Sequence, residues 1–403
     1  MKAWPHLSAL ALPLLLWTGT AAAAQDPPVT IDTHVDIPLA YMREPRFDAG
    51  KDTPLQVDLG KMERGGLNAV FFVIYVEQGP LDAKGYAKAV AQAKRKYEDI
   101  HLLVQRYPQR IRLATTPAQV LANRKDGVLS AMIGIENGYS LGHDLKNLDW
   151  AFAQGARYIG LTHVGHNDLC TSSMPTADLG DPPLSDAGLS EFGRQVVERA
   201  NRLGIMVDIS HSSDACVRDV LKLSRAPIIA SHSGAHALVN HPRNLPDDLL
   251  RAIAAKGGVI QAVAYKGFLK LDPGRELAEK ALQAQVAKRA GDKQYDSEKH
   301  DFLPAYVEGM RRIDAAFPLP TLDDYVAQIR HMVEVAGIDH VGIASDFDGG
   351  GGIDGWRDAG QTRNVTAALR RAGFSDADIA KLWGGNLLRV WGDVERAADA
   401  TPR

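Results

Sequence analysis

The chain has 403 residues, 46 basic against 49 acidic side chains for a formal charge of −3, 45% hydrophobic residues and two cysteines, the profile of a soluble globular protein. A near-neutral charge without a long basic run excludes a nucleic-acid binder, whose affinity rests largely on phosphate neutralisation. Cys170 and Cys216 are too few for a disulfide-stapled scaffold or a Cys-rich zinc module, so any metal chemistry must use His and carboxylates.

The chain opens with Lys2, an apolar stretch at 7–17, and Ala22-Ala23-Ala24 before Gln25. This order predicts a cleavable Sec-type signal peptide over 1–24, whose apolar part is well short of the roughly 20 residues that span a bilayer. No Cys follows it for lipid attachment, and 394–403 is polar rather than an anchor tail. The expectation is a periplasmic or secreted protein with no membrane anchor in its mature chain.

Downstream, short β-branched or apolar runs bounded by turn residues predict strands at 29–36, 67–76, 128–136, 158–163, 205–211, 227–232, 258–264 and 340–346. Helix-period stretches lie between them, among them 84–107, 189–203, 213–222, 246–255 and 322–336, several opening on an Asp or Ser cap. Strand and helix alternating eight times predict an α/β fold, a TIM (β/α)8 barrel forming one domain over 25–403. A doubly wound sheet is the alternative, but no Gly-rich dinucleotide loop follows the first strand. The charged segment from 265 to about 317 is predicted as a helical insertion between strands seven and eight, beside the active-site mouth.

Six of the eight runs stop on His, Asp or Glu. Strand one closes with Asp32-Thr33-His34-Val35-Asp36, strand three with Ile135-Glu136-Asn137-Gly138, and strand four with Leu161-Thr162-His163. Strand five ends Asp208-Ile209-Ser210-His211, strand six Ala230-Ser231-His232-Ser233, and strand eight Ala344-Ser345-Asp346-Phe347-Asp348-Gly349. In a parallel barrel these C-terminal ends converge on the face that carries active sites. Any one of these residues alone reads as a turn or cap. Together they predict a metal site.

His34 and Asp36 are two apart, so on an extended strand both side chains point the same way. They form one half-site, His211 with His232 the other, and Glu136 can bridge two ions about 3.5–4 Å apart. Imidazole with carboxylate suits two Zn²⁺, with Mn²⁺, Co²⁺ or Fe²⁺ as substitutes. Such a pair would hold a shared water and lower its pKa toward about 7, the hydroxide needed for hydrolysis. Asp346 is the expected general base and acid; a role as a further ligand is the alternative. Among the other histidines, His101, His300 and His331 read as solvated surface, His143, His166, His236 and His241 as rim residues, and His340 as belonging to the opposite end of the barrel. Cys216 reads as core, and a Cys170–Cys216 disulfide stays open.

At this point the chain resembles the membrane dipeptidase (renal dipeptidase) family of binuclear zinc peptidases with amidohydrolase-like barrels. The likeness runs from Asp32-Thr33-His34-Val35-Asp36 to Asn386-Leu387-Leu388-Arg389-Val390. It passes through Gly134-Ile135-Glu136-Asn137-Gly138, Arg157-Tyr158-Ile159-Gly160-Leu161-Thr162-His163, His241-Pro242-Arg243-Asn244 and Gly342-Ile343-Ala344-Ser345-Asp346. The resemblance implies the same five ligands, His163 on the scissile carbonyl oxygen, and Arg243 on the free carboxylate of a dipeptide substrate. It also implies tolerance of a D-residue at the C-terminal position and activity on dehydropeptides. Asn137 stands where many members have Gly, and the loop 163–170 lacks the Cys that follows this stretch in mammalian relatives. A homodimer is left open, as are hydrolysis of another amide, lactone or phosphoester and a non-catalytic periplasmic binding barrel.

Overall fold

Runs such as Ala69-Val70-Phe71-Phe72-Val73-Ile74 offer no polar face to solvent and are buried on both sides, the pattern of parallel strands covered by helices. The structure is a computed structural model that describes Met1 and residues 28–182 and 187–399; the expected signal peptide, Met1 apart, lies outside the described residues. Eight strands, β1 (Ile31–Val35), β2 (Ala69–Tyr75), β3 (Leu129–Glu136), β4 (Ala156–Gly160), β5 (Met206–Asp208), β6 (Ile229–Ala235), β7 (Val259–Val263) and β8 (Val341–Ala344), pair in that order. All of these pairings are parallel. A parallel bridge from Val35 to Phe347, and a 2.9 Å hydrogen bond donated by Asp36 N to Phe347 O, bring β1 beside the end of β8. The sheet is a nearly closed (β/α)8 barrel.

Alternation along β2 sends Val70, Phe72 and Ile74 toward the helices and Ala69, Phe71 and Val73 into the barrel. Leu387, Val390 and Trp391 of the helix Asn386–Asp399 join that interior cluster and plug the N-terminal end of the strands. The C-terminal end is left open to a cavity. After β7 come the expected insertion helices, Lys266–Leu269, Pro273–Ala290, Ser297–His300 and Pro304–Ala316.

Several expectations are corrected. β4, β5 and β8 end at Gly160, Asp208 and Ala344, so His163, His211 and Asp346 lie in the loops beyond their ladders. His211 (φ +69°) and Asp346 (φ +60°) adopt left-handed backbone, which no strand accommodates. Two short parallel strands, Ile111–Leu113 beside β3 and Asn244–Leu245 beside β6, escape periodicity because they are too short to show one. His300 is buried rather than solvated: its Nδ1 accepts Asp296 N at 2.9 Å and its Nε2 lies 2.9 Å from Asp292 Oδ2. The same acidic neighbours that suggest a wet surface in sequence are its partners. His101 and His331 are half-buried, against Gln154 O (3.0 Å) and Asp247 Oδ1 (2.8 Å). Cys170 and Cys216 form a disulfide with Cα atoms 6.1 Å apart. Among the described residues no helix is long and apolar enough to cross a membrane.

Candidate metal centre

Each strand end delivers one part of the site. His34 lies within β1 and His232 within β6, and both strands shift register around them, between Asp32 and Val35 and between Ala230 and Ser233. Such irregularities re-aim side chains out of the regular pleat. Glu136, the last residue of β3, sits at the centre. Its Oε2 is 3.2 Å from His34 Nε2, and its Oε1 is 3.1 Å from His211 Nε2, 3.5 Å from His232 Nε2 and 3.9 Å from His163 Nε2. His34 Nε2 is also 3.7 Å from Asp36 Oδ2 and 3.9 Å from Asp346 Oδ1, and the Nε2 atoms of His211 and His232 are 2.9 Å apart. Gly349 is needed beside them, because a Cβ there would lie 2.3 Å from Asp36 Oδ2 and 2.6 Å from Asp346 Oδ1.

The back sides of two imidazoles are anchored. His34 Nδ1 is 3.1 Å from Tyr158 OH, which is itself 3.2 Å from Thr33 O. The tyrosine hydroxyl therefore donates to the carbonyl and accepts from Nδ1–H, leaving the Nε2 lone pair toward the centre. His232 Nδ1 is 2.8 Å from Ser231 Oγ, which donates to Asp208 Oδ2 at 2.6 Å. Asp208 is held in turn by Ser210 N (3.0 Å) and Ser231 N (2.8 Å). A hydroxyl thus stands between carboxylate and imidazole in an outer-shell arrangement that fixes the ring's orientation.

The electrostatics call for a cation. Burial and the neighbouring Glu136 charge hold Asp36 well above the usual carboxylate range. Burial pushes Asp346 up to about 7, with Glu136 and Asp32 adding to it against His34 and Arg243. Burial of Glu136 is outweighed by its histidines, which hold it well below its ordinary value. Despite burial, Glu136, Asp36 and Asp346 raise His34 to about 10, whereas burial, with the charge of Arg243 on His211 and those of His34 and Arg243 on His232, holds both of these well below the usual imidazole range. A protonated His34 is the positive charge that these acids gather in the protein alone. A divalent cation would replace that proton. Three donor groups have their ligand atoms within 4.8 Å of one another: His34, Asp36 and Glu136; Glu136, His163 and His211; and His34, His232 and Asp346. The residues fit a borderline divalent metal held by nitrogen and oxygen.

Around this cluster lies a cavity of about 560 Å³, whose lining includes His163, His241 and Arg243. His163 is pushed down to about 4 by burial, aided by Arg243 and His34 against Glu136, so at neutral pH it is an uncharged imidazole that can donate one N–H. Arg243 is 3% exposed; its Nη2 donates to His232 O at 3.2 Å, while its buried Nε has no hydrogen-bond partner among the described residues. Of the four rim histidines, His241 lines the cavity, its Nδ1 accepting Arg243 N at 3.1 Å. His143 instead stacks on Phe192, with ring centres 4.2 Å apart.

Sequence reasoning missed Tyr158 and Lys96. Tyr158 left a trace in Gly134, whose missing Cβ makes room for its ring. Lys96 sits on the helix Ala83–Arg106, yet it is buried, lines the cavity and lies 5.5 Å from the centre of the Tyr75 ring. Asn137 explains its departure from glycine. At φ +67° it occupies a conformation open to Gly and Asn, and its side chain bonds Val76 O, Tyr139 N and Asn167.

Comparison with known proteins agrees with this geometry. Residues 20–403 match the membrane dipeptidase family, Peptidase family M19. The chain is 30% identical over 348 residues to Dipeptidase aclJ of Aspergillus oryzae, covering 85% of this chain and 71% of that protein. The structure of the probable dipeptidase PvdM from Pseudomonas aeruginosa matches with a TM-score of 0.80 at 35% identity, over 92% of this chain and 96% of that one. A metallo peptidase from Rhodobacter sphaeroides, solved with a phosphinate mimic of the dipeptide L-Ala-D-Ala, matches with a TM-score of 0.70 at 25% identity, over 92% and 100% of the two chains. The chain therefore belongs to the membrane dipeptidase family, and with it to the metal-dependent peptide-bond hydrolases.

Proposed function

We propose that the protein is an exported dipeptidase that uses two zinc ions and accepts a D-residue at the C-terminal position. The observation that carries this reading is the convergence of His34, His211 and His232 on Glu136 at 3.2, 3.1 and 3.5 Å, with Asp36 3.7 Å from His34, next to the unsatisfied guanidinium nitrogen of Arg243. His34, Asp36, Glu136, His211 and His232 are the residues that would hold the metal pair. When bound, the pair supplies Lewis acidity, polarising the scissile carbonyl and making water a stronger acid. Arg243 grips the substrate carboxylate through its fork of donors. Asp346, whose Oδ1 lies 3.9 Å from His34 Nε2 at the cavity wall, removes the proton of the attacking water and returns it to the leaving amine. His163 donates its N–H to the oxyanion as the carbonyl becomes tetrahedral. The relative solved with a mimic of L-Ala-D-Ala supports acceptance of a D-residue. The signal-like segment at 1–24, together with the Cys170–Cys216 disulfide, supports an oxidising compartment.

The test is metal analysis and hydrolysis of L,L and L,D dipeptides by the chain purified from the periplasm or medium, with its N-terminus sequenced. About two ions per chain are expected, and His232→Ala should abolish turnover. Arg243→Ala should raise KM about 10- to 100-fold, as expected for loss of hydrogen bonds to a charged group. Unchanged turnover in His232→Ala would overturn the reading, and a KM indifferent to Arg243 would move the substrate to one without a carboxylate.

A further inference from the structure

Strand β7 runs straight into the insertion, whose first residues lay rings beside the metal centre. Tyr265 and Phe268 have ring centres 4.4 Å apart, and the Arg243 guanidinium lies 5.3 Å from the Phe268 centroid. The same wall continues through Tyr306 and Tyr295, 5.5 Å apart, to Phe302, which packs on Phe47 at 4.7 Å. All five insertion rings line the cavity that holds His211, His232 and Asp346. The nearest insertion charges are already paired: Lys266 Nζ lies 3.3 Å from Glu279, and Arg275 lies 2.8 Å from Glu279 and 2.5 Å from Asp314. Lys270 and Lys280 with Asp272, Glu276 and Asp301 complete four basic and four acidic insertion residues along the cavity. The wall therefore offers ring faces and edges rather than a net charge.

Its size is the second observation. A volume of about 560 Å³ falls within the roughly 300–1,000 Å³ of pockets that enclose drug-sized ligands. A dipeptide of two alanines is much smaller than this volume, so with its carboxylate on Arg243 and its amide at the Glu136 cluster it would not fill the cavity. Because Phe268 lies against Arg243, the ring wall begins where the C-terminal residue is anchored.

We propose that the insertion forms the subsite for the side chain of the substrate's C-terminal residue, and that this subsite selects aromatic side chains. The inference rests on the dipeptidase reading and on Arg243 as the carboxylate anchor. A ring entering the subsite loses water from both its faces and meets offset and edge-on aromatic partners.

The experiment compares kcat/KM of the metal-loaded protein for Ala-Ala, Ala-Phe and Phe-Ala, with L and D forms of the second residue. Ala-Phe should exceed both others by about 10-fold or more, the scale of discrimination set by apolar pocket contacts. Tyr306→Ala should reduce the ratio of Ala-Phe to Ala-Ala by about 10-fold, and Tyr306→Phe, which keeps the ring, should preserve it. Free phenylalanine should inhibit the unaltered protein more strongly than free alanine, a readout independent of any variant. Equal kcat/KM for Ala-Phe and Ala-Ala, a preference that follows Phe-Ala, or an equal loss on both substrates in Tyr306→Ala would each overturn the subsite while leaving the dipeptidase reading standing. Absence of turnover on every dipeptide would overturn both.

Discussion

An imidazole gives a lone pair to a cation only from the nitrogen that carries no proton, so the partner of the other nitrogen sets its usefulness. Tyr158 plays that part for His34, and Ser231 with Asp208 for His232. Tyr158→Phe removes the acceptor of Nδ1–H without changing the ring. Metal affinity should fall about 10- to 100-fold, the usual cost of losing such an outer partner. A chelator-buffered metal titration measures it, and an unshifted binding curve would refute the role assigned to Tyr158. At this scale the cluster of His and acids is legible in sequence, because such residues ending apolar runs have few other reasons to recur. Tyr158 is not, because its hydroxyl reaches His34 across 124 positions and needs the empty space at Gly134.

Elements have legible centres and illegible ends. The apolar runs locate all eight barrel strands, but the loops after β4, β5 and β8 begin two or three residues earlier than the runs suggest, where the backbone turns to aim a side chain inward. The loop after β4 is locked onto the loop after β5. Ser172 Oγ lies 3.3 Å from His211 O and donates within its own loop to His163 O at 2.5 Å, Ser173 N donates to His211 O at 2.8 Å, and the Cys170–Cys216 disulfide ties this loop to the helix Asp214–Leu223. Replacing both cysteines by serine opens a closed loop with a sequence separation of 46. The double variant should lose about 2–4 kcal/mol of stability in urea unfolding and bind metal more weakly, since the backbones of His163 and His211 share this support. Full stability together with full metal affinity would show that the hydrogen bonds alone suffice.

Across the whole molecule, burying three acids in one barrel mouth links metal, proton and stability. A carboxyl raised to about 7, as Asp346 is, favours the folded state while it is protonated. For the metal-free protein that contribution is fully present below about pH 4 and is lost as pH rises through about 7. Asp36, also raised, acts in the same direction. A cation bound among these residues would hold both carboxylates ionised, and a ligand that binds only the folded state stabilises it by mass action. Chelation should therefore lower Tm, and the gap between metal-loaded and chelated protein should widen from pH 5 to pH 8. Calorimetry at fixed free metal across that range checks it; a gap that narrows with rising pH would contradict the account.

Sequence alone determined the class of the fold and the residue types that gather at the candidate centre. Apolar period, strand-ending His and acid residues and the scarcity of cysteine are local properties, written into consecutive residues. The tertiary structure decided what depends on distance through space: that Glu136 faces four imidazoles at once, that Arg243 keeps a buried donor unsatisfied, that Cys170 meets Cys216, and that the insertion turns five rings toward the cavity. These contacts join residues tens to hundreds of positions apart, and closing the barrel is the step that selects among the many pairings a linear pattern allows.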